Sequence, residues 1–362
     1  MIKIYMAGKH MKRSPLSYSA LAPLFEGWVE RVSEPEQADL YLFTHILDIE
    51  EAPQAAITAW RQRRKPIVLL SEEPFWDTIW GCRPLNRELI VETRFGAVPV
   101  IQLNHATTSI FRFSRIPYYL LTNHRFANAY AARFARNAAL DAADWQACFE
   151  ARSTDIAFMF ERRPEPYHAV EWPEAGIIGL CSWRTELAEA VQAGTVERLG
   201  QSWQDGQSRF QQRNWYLDKL TRLDRRARML GAFENTHQPD YVTEKIFDAF
   251  ACGSVPLYFA SPEHRIHDFG LPEDAWINFY GRTAREAAEQ LEGLGCSRSR
   301  VQGWGQDRFA AYACAQRQLA ELFCNPALWL AERKRLGAAV KSALTGVLDG
   351  PCEQYPGSGT AA

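Results

Sequence analysis

Long apolar runs and paired cysteines are missing from this 362-residue chain. No stretch of about 18 apolar residues, the length that a membrane-spanning helix needs, occurs in it. The eight cysteines form neither a Cys-x-x-Cys motif nor a cysteine and histidine ligand spacing, and a chain of this size folds without disulfide staples. The first residues lack the pattern of a signal peptide. We therefore expect reduced thiols in a cytoplasmic protein without a transmembrane segment.

An excess of positive charge is also missing. The formal net charge is −2, and lysine is scarce, with eight residues against 33 arginines. Binding to bulk nucleic acid or to an anionic membrane depends on a surplus of basic side chains, so neither is expected as a partner. A content of 47% apolar and 12% aromatic residues excludes a disordered, collagen-like or coiled-coil chain.

Short apolar runs alternate with longer amphipathic ones, which is typical of βαβ units and a mostly parallel sheet. In the first half, the pattern predicts strands over 2–7, 38–44 and 66–70, with helices over 18–31 and 49–64 between them. A second series of the same kind begins near residue 155. We therefore expect the α/β class, with two Rossmann-like doubly wound domains and an inter-domain cleft in which ligands bind at the carboxyl ends of the strands.

The predicted domains divide near residue 150. The N-terminal domain covers residues 1–150, and the C-terminal domain covers residues 151–349. The second domain ends in two long helices that Asn325-Pro326 separates, because a proline cannot continue a helix. Residues 350–362 are small and polar and are expected to form a flexible tail.

One segment carries most of the functional information. Residues 229–259 place a polar loop and a helix N-terminus directly after an apolar strand. The free N–H groups of a first helical turn favour a phosphate there, and Lys245 adds a full positive charge. Glu244 beside it is an acceptor suited to sugar hydroxyls. The alternative interpretation is that Thr243 and Glu244 only cap a helix whose Lys245 is solvated.

This segment resembles the family 10 α-1,3/α-1,4-fucosyltransferases, in particular the bacterial type. It carries Phe233-Glu-Asn-Thr236, Asp240-Tyr-Val-Thr-Glu-Lys-Ile246 and Gly253-Ser-Val-Pro256 in the order of that family. Upstream, Arg184 opens a predicted helix that is similar to the arginine-containing helix of the family. Residues 67–74, Ile-Val-Leu-Leu-Ser-Glu-Glu-Pro, resemble the strand that ends in the family's Glu-Ser-Pro or Gly-Glu-Asn element.

The resemblance implies a GT-B enzyme that transfers fucose from GDP-fucose, with inversion, to a hydroxyl of an acceptor glycan, such as O3 of GlcNAc or glucose. The N-terminal domain would bind the acceptor, and the C-terminal domain would bind the GDP-sugar. Lys245 and Arg184 would contact the diphosphate. Glu244 and Asn235 would bind donor hydroxyls, and Tyr241 would close over the nucleotide sugar.

The resemblance also implies Glu72 as the general base. Glu73 stands where the family has Ser or Asn, so two adjacent carboxylates compete for this role. Neighbours on a strand point to opposite faces, so we expect only one of them to face the cleft, and the register with Pro74 favours Glu72. Both could also be solvated loop acids.

No metal or other cofactor is expected. Many glycosyltransferases hold a divalent cation on an Asp-x-Asp motif, and this chain contains none. Two other functions stay open. The chain could transfer a different nucleotide sugar, because the diphosphate-binding residues would be shared. It could also be a catalytically degenerate protein that only binds a sugar nucleotide or a glycan.

Overall fold

The computed structural model describes residues 1–81, 83–192, 194–203, 214–294 and 304–350. Its strands are β1 (Ile2–Met6), β2 (Val29–Val32), β3 (Leu40–Phe43), β4 (Ile67–Leu70), β5 (Glu88–Thr93), β6 (Gly96–Leu103), β7 (Thr154–Met159), β8 (Glu171–Trp172), β9 (Ile177–Gly179), β10 (Val196–Leu199), β11 (Ala227–Gly231), β12 (Thr236–His237), β13 (Val255–Tyr258) and β14 (Ile277–Asn278). Its α-helices are α1 (Ile46–Glu50), α2 (Gln54–Arg63), α3 (Pro74–Gly81), α4 (Tyr118–Leu121), α5 (His124–Ala138), α6 (Ala142–Glu150), α7 (Cys181–Ala190), α8 (Trp215–Leu223), α9 (Lys245–Ala251), α10 (Ala284–Leu294), α11 (Gln306–Phe323) and α12 (Pro326–Asp349).

The N-terminal half forms a six-stranded sheet in the order β2-β1-β3-β4-β6-β5. All neighbours pair in parallel except β5, which runs antiparallel to β6 at the edge. The central strands β3 and β4 consist of buried residues only. Helices on both faces of a parallel sheet explain why these strands are continuous apolar runs rather than alternating ones.

The C-terminal half forms a five-stranded parallel sheet in the order β10-β7-β11-β13-β14. A small antiparallel sheet, β12-β9-β8, holds the loop that follows β11. The expected α/β class with two doubly wound sheets, the GT-B arrangement, is confirmed. Among the described helices, none is both long enough and apolar enough to cross a membrane.

The chain crosses to the second sheet before residue 150. Helices α5 and α6 pack against α11, with the rings of Phe134 and Phe323 stacked at 5.3 Å and those of Trp145 and Tyr312 edge-on at 4.8 Å. Helix α12 returns to the first half, where Arg333 Nε donates to the Leu121 carbonyl at 3.2 Å. The division near residue 150 therefore stays a prediction, and residues 351–362 of the expected tail lie outside the described residues.

The helix predicted over residues 18–31 is wrong. A short 3₁₀ turn, Ala22–Phe25, and strand β2 occupy half of this stretch. Pro23 removes a helical hydrogen bond, and Gly27 adopts a left-handed φ of +71° that ends the turn. The stretch instead provides the loop and the edge strand that follow β1. The two long C-terminal helices that flank Asn325-Pro326 are confirmed as α11 and α12.

Candidate active site

The candidate site lies where the carboxyl ends of the two sheets face each other. The loop after β4 carries Glu73, the loop after β6 carries His105, and the loop after β11 carries Tyr241. The Tyr241 ring packs edge-on against His105, with ring centres 5.1 Å apart. Its hydroxyl donates to Glu73 Oε2 at 3.5 Å. Residues predicted from distant parts of the chain thus meet across the contact between the two halves.

Glu72 is held by hydrogen bonds on all of its oxygens. The Tyr18 hydroxyl donates to Oε1 at 2.5 Å, and the Tyr118 hydroxyl donates to Oε2 at 2.8 Å. Its backbone carbonyl accepts from the Tyr119 hydroxyl at 2.7 Å and from His105 Nε2 at 3.1 Å. Only 4% of Glu72 is exposed. The carboxylate is therefore fixed in direction and is not a solvated loop acid.

Burial shifts the ionisation of Glu72 towards neutrality. Loss of solvation raises the pKa of Glu72 to about 7, and the negative charge of Glu73 acts in the same direction. Hydrogen bonds from Tyr18 and Tyr118 and the charge of Arg13 oppose the rise in pKa, because each stabilises the carboxylate. A carboxyl with a pKa near 7 exchanges a proton readily at neutral pH, which suits a general base.

The alternation argument for choosing between Glu72 and Glu73 is wrong. Strand β4 ends at Leu70, and both glutamates lie in the loop before α3, where side chains do not alternate between two faces. Glu73 is half-buried and faces Tyr241 of the other half. Burial raises the pKa of Glu73, and the charges of Arg13 and Lys245 oppose that rise. The Glu73 carboxylate therefore contacts the other half, whereas the Glu72 carboxylate binds Tyr18 and Tyr118 of its own half.

Tyr241 is buried between the two halves of the molecule. It is 1% exposed, and its ring also meets that of Tyr119 at 5.6 Å in an edge-on contact. The residues that Tyr241 contacts, Tyr119, His105 and Glu73, all belong to the N-terminal half. Tyr241 therefore links the two halves of the molecule.

Lys245 is the first residue of α9. Its Nζ donates to Glu234 Oε2 at 2.8 Å and to Thr243 Oγ1 at 2.9 Å, and it lies 3.8 Å from Glu244 Oε1. Burial disfavours its charge, but the two carboxylates outweigh this effect and raise the pKa of Lys245. Lys245 is thus a held, ionised cation rather than a solvated surface lysine.

Glu234 organises the loop before α9. Its carboxylate accepts from the backbone N–H and from the hydroxyl of Thr243, at 2.8 Å each, besides accepting from Lys245. Glu234 is 2% exposed. Thr243 therefore binds Glu234 and does not cap the helix, which rules out that part of the alternative interpretation.

Glu244 is ionised throughout the physiological pH range. Burial disfavours its charge, but the positive charges of Lys245 and Lys219 overcome this effect and lower the pKa of Glu244 to about 2. Its side chain is 15% exposed. A carboxylate in this state only accepts hydrogen bonds, so it can bind hydroxyl donors.

A buried ion pair holds α9 against α8. Lys219 Nζ of α8 donates to Asp248 Oδ2 at 2.7 Å. The hydroxyls of Tyr130 and Tyr216 donate to Asp248 Oδ1 at 2.8 and 3.0 Å. Asp248 is fully buried. The pair ties α9, and with it Glu244, to α5 and α8.

We expect the substitution Lys219→Met to lower the free energy of unfolding by roughly 3–5 kcal/mol, because Asp248 then stays buried without its cation. Urea denaturation of both proteins measures this difference. Lys334→Met is the control, since Lys334 is an exposed lysine of α12, and it is expected to change the value by less than about 0.5 kcal/mol. Equal, small effects of the two substitutions would contradict the role of the buried pair.

Arg184 lies under the loop that follows β11. It is 3% exposed, and its Nη1 donates to the carbonyls of Phe233 and Glu234 at 3.3 Å each. Its guanidinium stacks over the Phe160 ring at 4.8 Å. Within the described residues its Nε has no hydrogen-bond partner. Arg184 and Lys245 therefore approach Glu234 from two sides, and Arg184 keeps one N–H group for a further acceptor.

Asn235 lies beside the start of α7, the helix that carries Arg184. Its backbone carbonyl accepts from the Leu180 N–H at 2.8 Å, and its Oδ1 lies 3.9 Å from Cys181 Sγ. Asn235 is half-buried. The structure thus brings Asn235 next to α7, the helix that carries Arg184.

Several residues of this site were not predicted from the sequence, among them Tyr18, Tyr118 and Glu234. Tyr18 and Tyr118 are separated from Glu72 by 54 and 46 positions in the chain. No local pattern marks a tyrosine that meets a carboxylate at such a separation. Glu234 belongs to the quoted Phe233-Glu-Asn-Thr236 element, and its place 11 residues before Lys245 is the signal that could have identified it.

Comparison with known families identifies the second half of the chain. Residues 184–334 match the model of the C-terminal part of glycosyltransferase family 10, the fucosyltransferases. This stretch is therefore similar to the C-terminal part of a family 10 glycosyltransferase. The matched segment starts at Arg184 and contains Asn235, Tyr241, Glu244 and Lys245. All of the residues predicted to bind the donor therefore lie inside the matched segment.

Individual relatives are more distant. A fucosyltransferase-like protein of Arabidopsis thaliana is 39% identical over 66 residues, which are 18% of this chain. The matched part is 12% of that curated relative. Among solved structures, an α1,3-fucosyltransferase with GDP-fucose is 13% identical, with a TM-score of 0.44 over 96% of this chain and 90% of that one. HepE of Anabaena in complex with UDP is 11% identical, with a TM-score of 0.39 over 96% of this chain and all of the other.

Proposed function

We propose that this chain is a glycosyltransferase that transfers fucose from GDP-fucose to a hydroxyl of an acceptor glycan, with inversion and without a metal ion. The observation that carries the proposal is the match of residues 184–334 to the family 10 model. The loop after β11 and helix α9 of this segment hold Lys245 and Glu244 beside the contact with the N-terminal half. Glu72 and Glu73 lie on the other side of that contact.

Two cations stabilise the departing GDP in this proposal. Negative charge develops on the diphosphate as its bond to the sugar breaks, and fixed positive groups lower the energy of that state. Lys245 supplies a held charge at the start of α9. Arg184 supplies the N–H group that lacks a partner among the described residues, and its planar guanidinium suits phosphate oxygens.

Glu244, Asn235 and Tyr241 bind the rest of the donor. Glu244 is ionised and partly exposed, so it accepts hydrogen bonds from the hydroxyls of ribose or fucose. Asn235 lies beside α7 and offers both a donor and an acceptor to the same sugars. Tyr241 covers the nucleotide sugar once its contact with Glu73 has opened.

Glu72 acts as the general base. The acceptor oxygen attacks the anomeric carbon on the face opposite GDP, and its proton passes to the Glu72 carboxylate. The bond between the anomeric carbon and the diphosphate oxygen breaks, and GDP leaves with the electron pair. Two features support Glu72 over Glu73: its fixed carboxylate and its pKa of about 7. The N-terminal domain holds the acceptor, for which O3 of GlcNAc or glucose is the proposed hydroxyl.

A panel of nucleotide sugars tests the donor. We expect GDP-fucose to support transfer to a set of acceptor glycans, whereas GDP-mannose and UDP-sugars give less than about a hundredth of that rate, because hydroxyl-specific contacts discriminate strongly. Nucleotide release and labelled glycan product are measured together. We expect the rate to stay the same when EDTA is present.

If the protein transfers sugar only from a different nucleotide sugar, that compound is the donor instead of GDP-fucose. Tight GDP binding without transfer from any donor in a broad acceptor panel would favour the degenerate binding protein. Loss of activity in EDTA that Mg²⁺ or Mn²⁺ restores would contradict the two-cation account.

A further inference from the structure

Tyr18 lies in the loop after β1, which hydrogen bonds to backbone N–H groups hold in place. The loop follows β1, and Asp48 Oδ2 accepts from the His10 N–H at 3.1 Å. Gly8 has a φ of +103°, and a Cβ atom there would lie 2.2 Å from Asp48 Cγ, so only glycine permits this approach. The Tyr18 N–H donates to the Ser14 carbonyl at 3.2 Å. The place of Tyr18 is therefore set by the fold.

The two tyrosines on Glu72 differ in their surroundings. Tyr118, which bonds Oε2, is 3% exposed and lies in the core. Tyr18, which bonds Oε1 at 2.5 Å, is only half-buried. A carboxylate oxygen has two lone pairs, so Oε1 keeps one for a second donor beside Tyr18. The side of Tyr18 is the less buried of the two, so we expect an acceptor hydroxyl to approach Glu72 there.

We propose that Tyr18 is a positioning residue that aims the Glu72 carboxylate at the acceptor hydroxyl and stabilises its ionised form. The proposal rests on Glu72 being the general base of the proposed transfer. During the reaction the acceptor proton moves to Glu72, while Tyr18 keeps its own proton and its hydrogen bond. Tyr18 thus acts through Glu72 and does not itself exchange a proton with the substrate.

Hydrogen bonding gives this role a measurable consequence. A donor to a carboxylate stabilises the charged form, so the Tyr18 bond opposes the effect of burial on the pKa of Glu72. The base is active as the carboxylate, so transfer rises as the pH passes through the pKa. We call this rising part of the pH profile the acid limb. Loss of the Tyr18 hydroxyl therefore moves the acid limb to higher pH. The titratable and charged groups around Glu72 are Tyr18 and Arg13 from the loop after β1, Glu73 beside it, His105 from the loop after β6, and Tyr118 and Tyr119 from α4.

The test is the pH profile of kcat/KM for GDP-fucose transfer in Tyr18→Phe. We expect the acid limb to move up by about one pH unit, which is about tenfold lower activity at a pH below the limb, with a much smaller change on the alkaline plateau. Tyr41→Phe is the matched control, because it removes another tyrosine hydroxyl of the N-terminal half, one that donates to the Pro35 carbonyl at 3.0 Å. Its profile is expected to keep the wild-type limb.

A second substitution is expected to move the acid limb in the opposite direction. Incorporation of 3,5-difluorotyrosine at position 18 makes the hydroxyl a stronger donor and leaves the ring in place, so the limb moves to lower pH. A limb that stays at the wild-type position in both Tyr18→Phe and the fluorinated protein overturns the role of Tyr18 while the proposed function stands. Wild-type protein that does not transfer fucose from GDP-fucose overturns the proposed function instead.

Discussion

Replacing Glu72 with glutamine is expected to lower kcat for fucose transfer roughly a hundred- to ten-thousand-fold, the usual contribution of a general base. The amide keeps the shape of the side chain and still offers partners to the hydroxyls of Tyr18 and Tyr118. It cannot accept the acceptor's proton. The acid limb, which the account places near the pKa of about 7, should disappear from the remaining activity. Initial rates of GDP release across the pH range measure both effects.

Glu73→Gln is the matched control for this prediction, because it makes the same change one residue later in the same loop. We expect it to keep the acid limb and most of kcat. GDP affinity should change little in Glu72→Gln, since Glu72 lies outside the segment that matches the family 10 model. If Glu73→Gln loses the limb and Glu72→Gln keeps it, the roles of the two carboxylates are exchanged.

Arg184→Lys is expected to lower kcat roughly a hundred- to a thousand-fold, as the loss of one group that stabilises developing charge does in other enzymes. Lysine keeps the positive charge but lacks the planar fork, and it cannot hold the carbonyls of Phe233 and Glu234 while it binds a phosphate oxygen. Because the diphosphate charge grows in the transition state, kcat should fall more than the affinity for GDP-fucose. Steady-state kinetics and GDP titrations separate the two quantities.

Arg198→Lys controls for the structural part of this effect. Arg198 also donates to two backbone carbonyls of the same half, those of Ala188 and Val191 at 2.5 and 2.6 Å, but it lies on the edge strand β10. It should lose similar stability in thermal unfolding and keep its transfer rate. An equal fall of kcat in both variants would show that Arg184 acts only by holding the fold.

The sequence predicted the order of strands and helices better than their detail. Strands such as β3 and β4 are buried on both faces, so each of them is an uninterrupted run of apolar residues that can be recognised in the sequence. The segment over 18–31 looked helical because its apolar residues had a suitable spacing. Pro23 and Gly27 decided its structure, since each changes the backbone conformations that are available.

The candidate site was predictable where its residues are close in the chain. Asn235, Tyr241, Glu244 and Lys245 form one continuous segment, and the structure keeps them at the end of β11 and the start of α9. The tyrosines that hold Glu72 were not predictable, because contacts between loops of different strands depend on the packing of the whole sheet. The strand alternation used for Glu72 and Glu73 failed for a local reason: β4 ends at Leu70, before either residue.

The anomeric configuration of the product shows directly whether the protein is an inverting fucosyltransferase. NMR can follow the protein with GDP-fucose, in which fucose has the β configuration, and an acceptor carrying GlcNAc or glucose. We expect GDP to appear only when the acceptor is present and the new fucosyl linkage to have the α configuration from the first turnover. Transfer with a β linkage, or no transfer from GDP-fucose to any acceptor tested, would contradict this expectation.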